Sequence, residues 1–186
     1  MRDMKRAVRL SLAAALTATT LLGPAQAQGI RAVNKNLGYL YQKDPITDVN
    51  TSYVILLEIN DLDGNTGLRL RCDDDGKPNA WGSFAGKNVI LPLDPNGADR
   101  HLWPDMTVRL GSDAPFTVPD KDLYSLTDDT RSIGFDGATF DRMVAGLLAG
   151  KRLVLRFTGD HLRQPLTYTF PAQSFATAWQ AVKACK

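Results

Sequence analysis

The apolar positions of this chain repeat mostly every second residue, which is the period of a half-buried β-strand. In the run Leu68–Cys72 the leucines and the cysteine occupy one face and two arginines the other, and the same alternation recurs at Leu153–Phe157 and Leu166–Phe170. The run Tyr53–Ile59 is apolar on both faces, as in a central strand that is covered on two sides. These four segments predict a strand-rich domain.

Shorter segments complete the predicted strand order. Polar turn residues at 60–67 favour a hairpin between the strand before them and the strand after them. Residues 92–105 and 120–131 are rich in proline or in polar residues and are predicted to be loops. Further short strands are predicted at Leu37–Gln42, Thr107–Leu110, Phe116–Val118 and Ser132–Phe135, with one or two more between Ala80 and Leu93.

Two segments have the period of a helix face, in which apolar residues recur at steps of three and four. The first is Thr139–Ala149, which ends at Gly150, and the second is Gln173–Cys185. Together with the strands they predict an α+β fold. We expect an antiparallel β-sandwich or open barrel of about seven to nine strands, with two helices packed on it.

The first residues have the pattern of a secretory signal peptide. A basic start precedes an apolar run at Leu10–Leu22 and the small-residue site Ala25–Ala27, so we expect cleavage after Ala27 and removal of residues 1–27. The apolar run is too short for a stable membrane span, and no later run of about 18 apolar residues follows it. We therefore expect a periplasmic or secreted protein with no transmembrane segment in the mature chain.

Removal of the signal peptide also changes the charge of the chain. The peptide carries four cations and one anion, Arg2, Lys5, Arg6 and Arg9 against Asp3, so the formal charge falls from +2 to about −1. A chain that is close to neutral has no global attraction to nucleic acid. Nucleic acid is therefore not a predicted partner.

The only two cysteines lie on predicted apolar faces, Cys72 on a strand and Cys185 on the last helix. Two cysteines in an exported chain favour a disulfide over a metal pair. We expect a Cys72–Cys185 disulfide that tethers the C-terminal helix to the sheet. The bond would close a single globular β-rich domain at 53–186, preceded by an irregular N-terminal arm at 28–52 that shows no sustained period.

A series of short motifs runs through the last two-thirds of the chain. They are Arg71-Cys72 at a strand end, Trp81-Gly82, Val108–Leu110 with its arginine, the helix and basic strand of Leu147–Phe157, and Phe170 before a terminal helix that closes on Cys185. Their order resembles the type VI secretion-associated VasI-like and the invasion-associated-locus-B-like families of bacterial envelope proteins. The resemblance covers residues 68–186 and implies an exported accessory or binding domain without known catalytic residues.

An enzyme of this size would most simply be a hydrolase, which needs a nucleophile with a base beside it. The only histidines are His101, in a loop rich in proline and glycine, and His161, in a hairpin turn. Ser83 lacks the second glycine of a nucleophile elbow because Ala85 stands there. A small exported hydrolase that uses His101 or His161 is therefore an alternative, and the main prediction is a non-catalytic binding or assembly protein without a cofactor.

The turn after the first long strand contains a possible cation site. Asp61, Asp63 and Asn65 place oxygen-bearing side chains at alternate positions, as at the start of a Ca²⁺ loop. Cys72 stands at the twelfth position, where such a loop has glutamate, and a hairpin turn explains the same residues. A Ca²⁺-dependent binding module is a second alternative, and the main prediction is that there is no metal site.

Four arginines lie on the outward faces of two predicted strands, Arg69 and Arg71 on one, and Arg152 and Arg156 on the other. If both strands lie in one sheet, the four side chains form a cationic stripe. Such a stripe binds an anionic surface component or an acidic loop of an envelope protein. The alternative is a solvated face on which the arginines pair with Glu58 and nearby aspartates.

Tryptophan side chains are a further source of binding residues. Trp81 and Trp179 are interpreted as anchors of the fold because each falls on a predicted strand or helix. Trp103 lies between His101 and Pro104 in a polar loop, and it is the tryptophan that we expect to be exposed. It joins the four arginines as a candidate binding residue.

Overall fold

A computed structural model describes residues 29–61, 63–74, 78–86, 103–126, 132–160 and 162–182, and for residues 72–74 and 78–80 it describes the backbone alone. Within these residues the strands form two antiparallel sheets, and two helices pack against them. This confirms the predicted α+β class. The predicted signal peptide lies outside the described residues.

Eleven strands and two helices lie in the described part of the chain. Helix α1 (Gly137–Leu148) and helix α2 (Phe175–Ala181) are both too short to cross a membrane, and no described helix is long and apolar enough to do so. In chain order the strands are β1 (Arg31–Asn34), β2 (Leu37–Leu40), β3 (Tyr53–Leu57), β4 (Gly67–Asp74), β5 (Pro78–Ala85), β6 (Asp105–Leu110), β7 (Phe116–Thr117), β8 (Leu123–Ser125), β9 (Ser132–Asp136), β10 (Leu153–Thr158) and β11 (Leu166–Phe170).

The larger sheet has seven strands in the order β1-β2-β3-β4-β5-β9-β8, and the smaller sheet has four in the order β11-β10-β6-β7. The predicted hairpin is formed by β3 and β4, where Val54 lies opposite Leu70 and Leu56 opposite Leu68. All four of these side chains are fully buried. The two-residue period of each strand therefore directs both strands of the hairpin towards the same core.

The two sheets pack face to face through aromatic side chains. Phe84 of β5 lies against the smaller sheet, with its ring centroid 4.9 Å from those of Phe157 and Tyr168 and 6.3 Å from that of Phe170. Alternate residues of β3, β6 and β10 are buried between the sheets, and this interdigitation builds the core. The outer faces of the two sheets consequently point in opposite directions.

Hydrogen bonds connect the two sheets at one side, where the residues just after β3 contact β11. The Ile59 backbone N–H donates to the Thr169 carbonyl of β11 at 3.1 Å, and the Thr169 N–H donates to Glu58 Oε1 at 3.2 Å. The main chain just after β3 thus contacts β11, the edge strand of the smaller sheet. The Glu58 carboxylate satisfies a backbone donor that an edge strand would otherwise leave unpaired.

Helix α1 packs against β5 and β9 of the larger sheet and against β6 and β10 of the smaller sheet. Phe140, Met143 and Leu147 are buried at steps of three and four, which confirms the predicted apolar face. At Gly146 an added Cβ would lie 2.6 Å from the Leu110 side chain of β6. Glycine at this position lets the helix approach the sheet without displacing the Leu110 side chain.

The N-terminus of α1 is held by a carboxylate from a segment that was predicted to be a loop. Asp122, in a short 3₁₀ helix at Asp120–Asp122, accepts hydrogen bonds from the Thr139 hydroxyl at 2.8 Å and from the Thr139 N–H at 3.3 Å. Backbone N–H groups in the first turn of a helix have no partner within the helix, and they favour a negative charge. The 3₁₀ helix and β8 therefore replace part of the loop expected at 120–131.

Helix α2 and the N-terminal segment support each other. The helix packs against β2, and Trp179 is buried, as expected of an anchor of the fold. The Asn50 side-chain amide donates to the Val182 carbonyl at 2.9 Å, and so it satisfies an acceptor at the end of α2. The segment at 28–52, predicted to be an irregular arm, thus contributes β1, β2 and a helix contact.

The predicted Cys72–Cys185 disulfide is not described by the structure. Of Cys72 only the backbone is described, in β4 opposite Ala80. Cys185 lies after the last described residue. The tether between the C-terminal helix and the sheet therefore stays a prediction.

Candidate functional site

The outward face of β3 is only partly covered. Tyr53, Ile55 and Leu57 are half-buried on this side, whereas Val54 and Leu56 on the other side are fully buried. The prediction that this strand is buried on both faces is therefore wrong. Three large side chains on the open face of a central strand provide an apolar surface that solvent can reach.

Rows of outward side chains cross the larger sheet from β3 to β9, because directly opposite residues on neighbouring strands point to the same face. The register places an arginine in each of the first two rows, both aromatic residues in the first row, and three small residues beside a leucine in the third. The rows are Tyr53-Arg71-Trp81-Asp136, Ile55-Arg69-Ser83-Gly134 and Leu57-Gly67-Ala85-Ser132.

Two arginines of β4 lie over aromatic rings on this face. The guanidinium carbon of Arg69 is 4.6 Å from the ring centroid of Tyr53, and that of Arg71 is 5.6 Å from the ring of Trp81. A cation over an aromatic face is stabilised by the ring quadrupole. The stacking also restricts each side chain, so both arginines are partly preorganised for a ligand.

A groove of about 340 Å³ runs along the same face. Small side chains on the middle strands form its floor, and larger apolar side chains from β3 and from the end of β8 form its walls. Among the described residues that line the groove, Arg69 is the one that carries a charge. Other lining residues are Gly67, Ser83, Ala85, Ile55, Leu57 and Leu126.

Tyr124 of β8 extends the far side of this face. Its ring lies directly over Gly134 of β9, so closely that an added Cβ on the glycine would be 2.2 Å from the ring. Glycine is therefore required beneath the ring. The sequence pattern did not indicate this contact, because the segment containing Tyr124 was predicted to be a loop.

The four predicted arginines do not form one stripe. Arg69 and Arg71 lie on β4 of the larger sheet, whereas Arg152 immediately precedes β10 of the smaller sheet and Arg156 lies on it. The outer faces of the two sheets point in opposite directions, so the two pairs are separated by the core. Arg109 on the neighbouring strand β6 joins the second pair, and these three exposed residues are named the arginine cluster.

Trp103 does not provide an exposed aromatic surface. Its side chain is half-buried and packs against the hydrophobic core, so the expectation of an exposed tryptophan is wrong. The loop that precedes it is not described, and the polar character of that loop was the reason for the expectation. Among the tryptophans with described side chains, Trp81 is the one that lies on the candidate face.

Glu58 differs from its expected role as a surface partner of arginines. It is 5 % exposed, and its Oε2 accepts the Asn60 backbone N–H at 2.5 Å. Its Oε1 accepts the Asn60 side-chain amide at 3.1 Å and the Thr169 N–H at 3.2 Å. The carboxylate thus accepts hydrogen bonds at the junction between the sheets. Glu58 is therefore not a surface partner of the arginines, as the solvated-face alternative had expected.

Tyr168 of β11 lies near this carboxylate, within the core. Burial raises the pKa of the Tyr168 phenol above its ordinary value of 10.0, and the negative charge of Glu58 raises it further. The hydroxyl has no hydrogen-bond partner among the described residues. The ionised form is therefore disfavoured in the folded protein.

The raised pKa predicts how alkaline pH affects folding. The unfolded chain loses the Tyr168 proton at a lower pH than the folded chain, so this contribution to stability is complete below pH 10 and is lost as the pH rises through the folded pKa. Tyr168→Phe should keep its stability near neutral pH and lose less of it above pH 10 than the wild type. Urea unfolding at a series of pH values measures this difference. Tyr39→Phe is the control, and an equal effect of both substitutions would contradict the prediction.

The candidate Ca²⁺ loop is a closed turn. Asp61 Oδ1 accepts the Asp63 N–H at 3.1 Å, and the Gly64 N–H donates to the Asp61 carbonyl at 3.2 Å. Gly64 has a φ of +68°, which suits glycine in such a turn. Within the described ranges no three acidic, histidine or cysteine side chains are grouped to hold a metal ion, and Asn65 lines the groove instead.

The geometry defines an α+β domain with an open groove and stacked arginines on the outer face of its larger sheet. His101 and His161, the histidines of the hydrolase alternative, lie outside the described residues. No family model, no curated protein and no solved structure matches the chain.

Proposed function

We propose that the protein is a non-catalytic binding or assembly protein of the bacterial cell envelope, and that its binding surface is the outer face of the larger sheet. The observation that carries this proposal is the pair of arginines stacked on Tyr53 and Trp81 beside a groove with apolar walls. A purely solvated sheet face normally alternates apolar residues inward with polar residues outward. This face instead combines apolar, aromatic and cationic groups, the composition enriched at binding surfaces.

The partner in this proposal is an envelope protein or an anionic surface component. Arg69 and Arg71 supply two cations on one strand, and the surrounding rings keep part of each guanidinium away from water. Planar guanidinium groups bind carboxylates and phosphates with two parallel hydrogen bonds. An acidic contact on the partner is therefore the expected complement.

Export is the second part of the proposal. It is supported by the signal-peptide pattern of residues 1–27. An oxidising compartment would also allow the Cys72–Cys185 disulfide, for which the apolar phase of both predicted elements is the support. The intact mass of the protein isolated from the periplasm should equal that of a chain that begins at Gln28. It should also be lower by two hydrogen atoms, one from each thiol that joins the disulfide.

Affinity capture tests the binding function. The tagged mature chain should retain an envelope component from a membrane and periplasm extract at low salt and release it at high salt, because exposed charges are screened. Arg69→Glu should abolish this capture. Arg156→Glu should not, since it makes the same charge reversal on the opposite side of the molecule.

Melting temperatures of the two variants are the control for folding. Both arginines lie on outer sheet faces and are exposed, so each reversal should leave the melting temperature within about 2 °C of the wild type. Capture of the same components by the wild type and Arg69→Glu would contradict the proposal. So would equal losses in the two variants, because the face of the larger sheet would then have no special role.

A further inference from the structure

We propose that the groove on the larger sheet binds a small amphiphilic anion, with one anionic head group at Arg69 and an unbranched apolar chain along β3. This inference rests on the proposed function and assigns a ligand class to the same surface. The shared chemistry is a carboxylate, sulfate or phosphate head on a short hydrocarbon body.

The head group is assigned from the surroundings of Arg69. Its guanidinium carbon lies over the Tyr53 ring, 4.6 Å from the ring centroid, and a guanidinium has five N–H donors, more than one ring contact can occupy. Within the described part of the chain no carboxylate forms an ion pair with Arg69, and no acidic residue lines the groove. A two-oxygen anion is the ligand that matches these donors.

A hydroxyl lies beside that cation. Ser83 is the neighbour of Arg69 across the β4–β5 pair and also lines the groove. Its hydroxyl forms no hydrogen bond with another described residue. It can therefore donate to a second oxygen of the same head group.

The apolar chain is assigned from the walls. Ile55 and Leu57 on one side and Leu126 on the other are half-buried, and Ala85 lies between them. The 340 Å³ of the groove holds about ten groups of the size of a water molecule. A chain of roughly eight carbons with its head group would fill it.

The arginine cluster offers a matched contrast. Arg109, Arg152 and Arg156 carry the same charge chemistry on an exposed face, among threonines such as Thr107 and Thr167. None of these residues lines the groove. The cluster therefore offers an amphiphile a cation but no apolar walls. It is the control surface for binding by charge alone.

Titration calorimetry of the mature chain with octanoate, hexanoate and octanol tests the inference. Octanoate should bind about ten times or more tightly than octanol, because a charge-assisted hydrogen bond to Arg69 is present only with the anion. Hexanoate should bind more weakly than octanoate by about fourfold for each missing methylene that is buried. Octyl sulfate and octyl phosphate, which have other anionic heads, should bind comparably to octanoate.

Three variants locate the site. Arg69→Gln should weaken octanoate about tenfold or more and leave octanol unchanged, whereas Arg152→Gln should change neither. Ala85→Leu should fill the groove and weaken both ligands. Chemical shifts of backbone amides in β3 to β5 should move on addition of octanoate, and those in β6 and β10 should not.

Three results would overturn the inference: no octanoate binding, equal affinities for octanoate and octanol, or equal effects of Arg69→Gln and Arg152→Gln. None of these would affect capture of an envelope component, so the inference can fail while the proposed function stands. If octanoate binds but no envelope component is captured, the ligand inference stands and the proposed function fails. The groove would then serve a small ligand in a protein that has no envelope partner.

Discussion

Replacing Phe84 with alanine should lower the free energy of unfolding by about 3–5 kcal/mol. The ring is 0 % exposed and packs against Phe157, Tyr168 and Phe170 of the opposite sheet. The substitution removes both the burial of the ring and its edge and tilted contacts, and it leaves a cavity between two sheets that cannot collapse freely. Urea unfolding followed by circular dichroism measures the loss.

Leu148→Ala is the control for this substitution. Leu148 is 43 % exposed at the end of α1, so its truncation should change stability by no more than about 0.5 kcal/mol. A loss below about 1.5 kcal/mol for Phe84→Ala, well under the usual range for a buried ring, would contradict the packing. It would mean that the two sheets do not meet at this residue.

Glu58→Ala should lower the free energy of unfolding by about 2–4 kcal/mol, because two backbone donors lose a buried charged acceptor. The backbone N–H groups of Asn60 and Thr169 both donate to this carboxylate. Alanine supplies no oxygen for either group. Denaturant unfolding measures the total effect, and hydrogen exchange at the Thr169 amide measures the effect at the junction itself.

Glu58→Gln separates loss of the acceptors from loss of the charge. Glutamine keeps one oxygen for Thr169 but turns an amide group, which is a donor, towards the Asn60 N–H, so its effect should be intermediate. The assignment would be wrong if Glu58→Ala stayed within about 0.5 kcal/mol of the wild type. Unchanged exchange protection of Thr169 would also contradict it.

The strands were predictable because their signal is local. The alternation in Leu68–Cys72, Leu153–Phe157 and Leu166–Phe170 follows from the geometry of a strand with one buried face, and each of these segments is a strand. The helix face of α1 was predictable for the same reason. Its buried residues recur within a few positions of one another, and the window is short enough to be examined in the sequence alone.

The assignment of strands to sheets was not predictable in this way. Arg69 and Arg152 have the same local pattern, since each lies on the polar side of an alternating strand. Whether they share a surface depends on which strands pair, and residue spacing does not encode pairing between distant segments. Of the four arginines predicted to form the site, the two on β4 therefore lie on the candidate face, and the other two lie on the smaller sheet.

Glu58 shows the same limit for a single side chain. In the sequence it is a charged residue at the end of an apolar run, for which exposure is the usual outcome. Its burial depends on Thr169, which is 111 residues away. The groove was also not predictable, because it arises from Gly67, Ala85 and Ser132, which are brought side by side only by the register of two strand pairs.

The opposite orientation of the two outer faces has a consequence for stoichiometry. The groove and the arginine cluster are separated by two sheets that pack about 10 Å apart, so an occupant of one side does not obstruct access to the other. Sites that share no residues generally contribute additive free energies. A ligand in the groove should therefore bind with a stoichiometry of one per chain, and the face that carries the arginine cluster should be equally accessible with and without that ligand.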